Sequence, residues 1–136
     1  MAKRNFKFLV PLDYLKIEEN LINSLKNTGL LNPIIVIDNT IIDGIKRYHI
    51  LKKLKRKIEF KEIDGEPYVL RFNLNIERKW TLPEIAYIYL NSPDNIKDEI
   101  LKAKGIPSNP KIEKIFNLLL SAKGLVKLSL LNKISI

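Results

Sequence analysis

The sequence predicts an α+β protein in which a small mixed-sheet domain, residues 1–78, is followed by an all-helical segment, residues 79–136. Before residue 78, short apolar stretches separated by turn residues alternate with amphipathic stretches, which is typical of mixed α and β structure. After residue 78, apolar residues recur at helical spacing. Hydrophobic residues make up 46% of the chain, enough for a packed core and too many for a disordered protein.

The N-terminal domain is predicted to run strand–helix–strand–strand–helix–strand–strand. Pro11 ends the first strand and Gly29 ends the first helix. Asp38-Asn39 forms the turn between two short apolar strands, and Asp43-Gly44 opens a basic helix. The last strand is predicted because apolar residues alternate in it after a turn at residues 64–67. The predicted strands are 6–10, 33–37, 40–42, 57–63 and 68–74, and the predicted helices are 17–27 and 44–55.

The C-terminal segment is predicted as helices. Gly105 ends the second of them, and Ser108 or Asn109 caps the third with Pro110 at its first position. An apolar face at i, i+3, i+4 and i+7 supports this third helix, formed by Ile112, Ile115, Phe116 and Leu119. The predicted helices are 82–90, 95–104, 110–121 and 124–132.

Composition restricts the chemistry of the chain. Its 24 Lys and Arg residues against 15 Asp and Glu give a net charge of +9, which favours polyanionic partners, although a basic surface also serves solubility alone. There is no cysteine and one histidine, His49, so the sequence predicts no zinc site, and neither haem nor flavin. No apolar stretch has the length needed to cross a membrane, and we expect a cytoplasmic protein.

The strongest local signal for a ligand lies at the start of the basic helix. Lys46 and Arg47 fall in its first turn, where free backbone N–H groups already favour an anion. Arg47 precedes Leu51 and Leu54 by four and seven residues, so it shares their inward face. A cation on an inward face needs a partner. The sequence predicts that this partner is a phosphate.

Residues 95–121 have the size and spacing of a helix-turn-helix, with the turn at residues 105–107. The second helix of such a motif enters the major groove with its N-terminal residues first. An ordinary helical hairpin is the alternative, and Glu113 on the same face opposes DNA contact. The predicted DNA-contacting residues are Ser108, Asn109, Lys111 and Lys114.

Together these segments resemble the ParB partition-protein family, whose N-terminal domain shares its fold with sulfiredoxin. One matching stretch is Ser24-Leu25 through Gly29-Leu30 to Pro33-Ile34, and the next is Asp43-Gly44-Ile45-Lys46-Arg47. Asn75-x-x-Arg78, with Lys79-Trp80-Thr81 and Glu84-x-Ala86 after it, resembles the following motif. The helical part, residues 96–135, is similar to the ParB helix-turn-helix.

The resemblance implies a DNA-binding protein of chromosome or plasmid partition, associated with the nucleoid, whose N-terminal domain responds to a nucleotide. It implies CTP with magnesium as cofactor, double-stranded DNA as partner, and a homodimer when nucleotide or DNA is bound. Glu77 is the candidate magnesium contact. The expected nucleotide-binding residues are Asp43, Gly44, Lys46, Arg47, Tyr48, Asn75, Glu77 and Arg78.

Departures from the family leave alternatives open. ParB proteins carry Gly-Glu-Arg-Arg where this chain has Gly44-Ile45-Lys46-Arg47, so we expect a nucleotide binder and at most a weak hydrolase. Ile45 stands at the cysteine position of sulfiredoxins, which excludes sulfinic-acid reduction. A free-serine-kinase-like enzyme on the same fold is the main alternative, with Glu18 or Glu19 as the catalytic base. Another alternative is a domain that is used only for contacts with other proteins. The chain stops at Ile136 without a ParB dimerisation domain, as expected for a fragment or a short stand-alone relative.

Overall fold

A computed structural model of the chain describes residues 5–29 and 32–121. It divides the chain into two compact units, the N-terminal unit (residues 1–81) and the C-terminal unit (residues 82–136). The sequence placed its domain boundary after residue 78, three residues earlier. The fold class is α+β, with a four-stranded mixed sheet in the N-terminal unit and helices in both units.

The sheet consists of β1 (Lys7–Phe8), β2 (Ile34–Ile37), β3 (Thr40–Asp43) and β4 (Phe60–Glu62). Its strand order is β1-β3-β2-β4; β2 and β3 are antiparallel, whereas β1 pairs with β3 and β4 with β2 in parallel. Asp38 and Asn39 join β2 to β3 with φ of 45° and 64°, the left-handed conformation that a two-residue hairpin turn requires. Ile41 and Ile42 point to opposite faces and are both fully buried, so the sheet is covered on both sides.

Three α-helices accompany the sheet among the described residues of the N-terminal unit. They are α1 (Glu19–Thr28), α2 (Ile45–Lys53) and α3 (Pro67–Leu74), and a short 3₁₀ turn at Leu12–Tyr14 precedes α1. α1 packs on α2, α2 contacts β2, and α3 contacts β3. The four predicted strands before residue 64 and the two predicted helices each contain or overlap the observed element. They are confirmed, with ends shifted by up to three residues.

The predicted strand at residues 68–74 is wrong, because this segment is helix α3. The side chain of Glu66 caps the helix, accepting hydrogen bonds from the backbone N–H groups of Tyr68 (3.3 Å) and Val69 (2.8 Å), and Pro67 stands in the first turn, where it is tolerated. The inward face of α3 repeats at helical spacing. Two of its residues, Arg71 and Asn75, are polar, so the apolar residues alone do not show the helical period. The members of this face are Tyr68, Arg71, Phe72 and Asn75.

The C-terminal unit contains α4 (Leu82–Asn91), α5 (Asp94–Ala103) and α6 (Ile112–Ser121). These confirm three of the predicted helices; the fourth, at 124–132, lies outside the described residues. α4 packs against both α5 and α6, and the rings of Tyr89 and Phe116 meet edge to face with centroids 5.3 Å apart. None of the helices described has the length and apolar character needed to cross a bilayer.

Candidate functional site

Gly44 joins β3 to α2 at a place where only glycine fits. Its φ is +86°, a left-handed conformation that side chains disfavour. A Cβ atom on Gly44 would lie 2.6 Å from Cδ1 of Ile34 and 2.9 Å from Nη2 of Arg47. The missing side chain therefore lets the Arg47 guanidinium lie directly against the backbone that leads into α2.

Arg47 is directed inward as the sequence predicted, with its side chain only 19% exposed. Its Nη2 lies 3.3 Å from Oδ2 of Asp43, and its Nη1 donates a hydrogen bond of 3.1 Å to the backbone carbonyl of Asn32. Burial lowers the pKa of Arg47, the Asp43 carboxylate raises it, and the positive charge of Arg78 lowers it. Within the chain, the partner of Arg47 is thus the Asp43 carboxylate.

Asp43 connects the start of α2 to the end of α3. The side chain of Asn75, only 6% exposed, donates from Nδ2 to Oδ1 of Asp43 (3.2 Å) and to the backbone carbonyl of Arg71 (3.0 Å). Arg71 is itself buried and donates to the carbonyl of Ile42 at the end of β3. Two segments more than thirty residues apart in the sequence therefore meet at one carboxylate.

Sequence reasoning missed Arg71 and Asn32 as members of this network. Arg71 is the more informative omission, because it lies four residues before Asn75 on the inward face of α3. The signal that predicts it is the helix start at Glu66-Pro67. If residues 67–74 are read as a helix, Arg71 and Asn75 lie on one face. Asn32 contributes only its backbone carbonyl, and no side-chain pattern predicts such a contact.

Three charged residues of the predicted site, Lys46, Glu77 and Arg78, lie at its edges. Lys46 donates from Nζ to the backbone carbonyl of Lys16 (3.1 Å). The turn after α3 places Glu77 and Arg78 on exposed backbone, and the Arg78 N–H donates to the Asn75 carbonyl at 3.0 Å. The positive charge of Arg78 lowers the pKa of Arg47, so these two cations lie near each other at the site.

Three further predicted site residues of the N-terminal unit, Tyr48, Glu18 and Glu19, lie outside the hydrogen-bonded Asp43 network described above. Tyr48 is buried, and its ring packs on Phe6 (5.7 Å between centroids) and Phe8 (5.6 Å), so its side chain belongs to the aromatic core. Glu18 and Glu19, the predicted catalytic bases, are exposed at the start of α1. Neither side chain makes a hydrogen bond or ion pair with another residue in the described part of the chain.

His49 follows Tyr48 on α2 and stacks on Phe8 with ring centroids 4.6 Å apart. Its Nε2 is enclosed, with no hydrogen-bond partner among residues 5–29 and 32–121. Burial lowers the pKa of His49, as do the charges of Lys52 and Lys53, so the ring is neutral at physiological pH. Among the residues that the structure describes, no group of three or more His, Cys, Asp or Glu side chains is arranged to hold a metal ion.

In the C-terminal unit, the four residues predicted to contact DNA are all exposed where α6 begins. The sequence predicted that either Ser108 or Asn109 caps α6. The observed cap is Asn109, whose Oδ1 accepts a hydrogen bond of 2.8 Å from the Lys111 N–H. Residues 104–109 therefore separate α5 from the capped start of α6. This connection is longer than the turn of about three or four residues in a compact helix-turn-helix.

Glu113, the acidic residue that opposed DNA contact, is paired with a lysine of α5. Nζ of Lys97 lies 3.3 Å from Oε1 of Glu113, 3.3 Å from Oδ1 of Asp94, and 5.3 Å from the centroid of the Tyr89 ring. Burial opposes the charge of Lys97, but its hydrogen bonds to both carboxylates outweigh burial and raise the pKa of the lysine. The ion pair joins α5 to α6 and offsets the negative charge beside Lys111 and Lys114.

Comparisons of this chain with models of protein families, with curated proteins and with solved structures find no match.

Proposed function

We propose that this protein is a ParB-like, nucleotide-responsive DNA-binding protein acting in chromosome or plasmid partition or a related DNA-bound role. One observation carries the proposal. The Asp43–Arg47 and Asn75–Arg78 segments, which carry the family resemblance, are joined by a hydrogen bond of 3.2 Å between Nδ2 of Asn75 and Oδ1 of Asp43. A ParB/sulfiredoxin-like arrangement of the N-terminal unit is part of the same proposal.

The donors at this junction suit phosphate groups. Backbone N–H groups of residues 45–47 begin α2 without helical partners, and the missing side chain of Gly44 leaves room for the Arg47 guanidinium beside the backbone that leads into them. Arg47 supplies a forked donor and Lys46 a point charge. Both now hold internal acceptors, the Asp43 carboxylate and the Lys16 carbonyl, and phosphate oxygens would take the place of these acceptors.

CTP is the nucleotide that the family resemblance implies, with magnesium as its counterion. Glu77 is exposed and follows Asn75, a member of the Asp43 network, by two residues in the sequence. Magnesium is bound through one or two carboxylates together with substrate phosphates, so a single glutamate fits a metal that arrives with the nucleotide. The metal would neutralise phosphate charge there. Ile45 leaves the motif without the family's glutamate, which favours binding over hydrolysis.

Contact with double-stranded DNA is proposed for the start of α6. Lys111 and Lys114 are exposed and make no ion pair with any described residue, so their charges are available to phosphates. Ser108 and Asn109 precede them on exposed backbone. The Lys97–Glu113 pair removes the repulsion that Glu113 alone would exert on the DNA backbone. Nucleotide-dependent dimerisation, again implied by the resemblance, would couple this contact to the N-terminal unit.

The decisive experiment is calorimetric titration of CTP, ATP, ADP and GTP with magnesium into the wild-type protein, Arg47→Ala and Arg56→Ala. Arg56 is the matched control, because it is an exposed arginine of the same unit that also donates to a backbone carbonyl, that of Lys26, at 2.8 Å. We expect CTP-selective binding that Arg47→Ala abolishes and Arg56→Ala retains.

Circular dichroism of each variant checks that the fold is retained. Arg47→Lys tests the forked geometry: it should weaken binding while keeping the charge. Absence of binding for every nucleotide in the wild-type protein would overturn the nucleotide-binding half of the proposal.

A kinase acting on a small molecule is the second candidate, and one contact favours it. The hydrogen bond from Lys46 to the Lys16 carbonyl ties the segment two residues before Glu18 to the first turn of α2, where the phosphate site is proposed. Phosphoryl transfer needs a base beside the bound donor. Incubation with free amino acids and nucleosides, with ATP or ADP, should give a phosphorylated product that Glu18→Gln loses; no product dismisses this candidate.

A further inference from the structure

A second feature of the N-terminal unit is a cavity of about 390 Å³ between the 3₁₀ turn, α1 and α2. Its volume lies in the range of small-molecule sites, about 300–1,000 Å³. The wall is mainly aliphatic, with three polar side chains that all come from α2. The described lining residues are Leu12, Ile17, Ile22, His49, Ile50, Lys52 and Lys53. None of them belongs to the Asp43 network.

The aliphatic wall leaves apolar surface in contact with water. Ile17, on the segment between the 3₁₀ turn and α1, is 38% exposed, and Leu12 and Ile22 are only partly buried. Covering such surface with an apolar molecule is favourable. The segment that carries Ile17 is held by the Lys46–Lys16 hydrogen bond, so this part of the wall exists before any ligand arrives, which lowers the cost of binding.

The side of the cavity rim formed by α2 is positively charged, whereas Asp13 and Glu18 lie on the elements opposite. Helix α2 contains no acidic residue, and neither Lys52 nor Lys53 makes an ion pair with any residue in 5–29 or 32–121. The Lys52 ammonium lies 5.7 Å from the centroid of the Tyr48 ring, an interaction that keeps its charge intact. An anionic group above the aliphatic wall would therefore meet two ammonium groups within the same turn of helix.

We propose that this cavity binds a small amphipathic organic anion, with its apolar or aromatic body on the aliphatic wall and its acidic group at Lys52 and Lys53. The neutral ring of His49 adds one polar edge to the wall. The residues that would contact this ligand differ from those of the nucleotide-binding proposal, and the ligand requires an apolar body that phosphates lack.

The test compares two fluorescent probes that share an apolar body and differ in charge. 8-Anilinonaphthalene-1-sulfonate is anionic, and N-phenyl-1-naphthylamine is its neutral counterpart. Titrations at about 150 mM salt, which screens long-range attraction to a basic protein, should give saturable one-to-one binding of both probes to the folded wild-type protein. Displacement of the sulfonate probe by a medium-chain fatty-acid anion would extend the result to natural organic acids.

Three variants separate the contributions of charge and apolar surface. Lys52→Gln/Lys53→Gln should weaken the sulfonate about tenfold and leave the neutral probe within roughly twofold. Ile17→Asn, which reduces the apolar surface without adding a charge, should weaken both probes about fivefold or more. Lys26→Gln/Lys61→Gln removes the same charge from exposed positions outside the cavity and should change neither.

Three results would contradict the proposal. Binding of the sulfonate that falls equally in the two double-lysine variants would overturn the proposal, because it would reflect net charge alone. Binding of neither probe would overturn it as well. Chemical-shift changes on probe addition should fall on the methyl groups of Ile17, Ile22 and Ile50, and changes confined to other residues would also contradict it.

Discussion

Two of the three regions proposed to bind anions, the Arg47 site and the start of α6, hold their cations in opposite ways. In the N-terminal unit, Arg47 is mostly buried and already bound to a carboxylate and a carbonyl, in a network that also includes Asn75. In the C-terminal unit, Lys111 and Lys114 are exposed at the start of α6 and form no ion pair with the described residues. A buried, prearranged cation can select the shape of one phosphate group, whereas exposed lysines respond to charge density along a polyanion.

This difference predicts which changes affect folding and which affect only binding. Substitutions around Arg47 alter packing and an internal charge pair, so they should lower stability as well as ligand affinity. Substitutions of exposed lysines should leave stability nearly unchanged and act through salt-dependent attraction. The predictions below run from the largest expected change in stability to the smallest.

Gly44→Ala should cause the largest loss, lowering the free energy of unfolding by about 2–4 kcal/mol, because the new Cβ combines a left-handed φ with two close contacts. Gly105→Ala is the control, in the C-terminal unit: its φ is +70°, but no atom lies within 4 Å of the added Cβ. We expect only about 1–2 kcal/mol there, from the backbone alone. Urea denaturation measures both, and equal losses would contradict the packing argument.

Asp43→Asn should rank second, with a loss of about 1–2 kcal/mol. The amide oxygen can still accept the hydrogen bond from Asn75, but Arg47 loses the negative charge that offsets its burial. Asp64→Asn removes one carboxylate from an exposed turn of the same unit and should change stability by less than about 0.5 kcal/mol. A similar result for both variants, in matched thermal melts, would mean that the Asp43–Arg47 pair contributes nothing to folding.

Lys111→Gln/Lys114→Gln should leave stability within about 0.5 kcal/mol of the wild-type value while weakening binding to duplex DNA. The slope of log K against log salt should decrease by about two, because each lysine would neutralise one DNA phosphate. The control is Lys26→Gln/Lys61→Gln, which removes the same charge from exposed positions of the N-terminal unit. If both variants reduce the slope equally, DNA binding reflects net charge rather than the start of α6.

Local signals in the sequence predicted most elements because their causes are local. The hairpin follows from Asp38-Asn39, the turn into α2 from Asp43-Gly44, and the cap of α6 from Asn109-Pro110, each within a few residues. The strand predicted at 68–74 failed for a reason that is also local. The cap formed by Glu66 and Pro67 outweighed the apparent alternation of apolar residues.

The sequence by itself determined the hairpin turn and the turn into α2, the three helices described in the C-terminal unit, and that Arg47 faces inward. Only the tertiary structure decided what surrounds the local Asp43–Arg47 pair, because Asn75 reaches Asp43 through the packing of α3 on β3. The same holds for the Lys97–Glu113 pair, which joins two helices, and for the cavity beside α2. Turns, caps and i,i+4 pairs depend on neighbouring residues, whereas contacts between helices and cavities depend on distant segments whose approach no single stretch of sequence encodes.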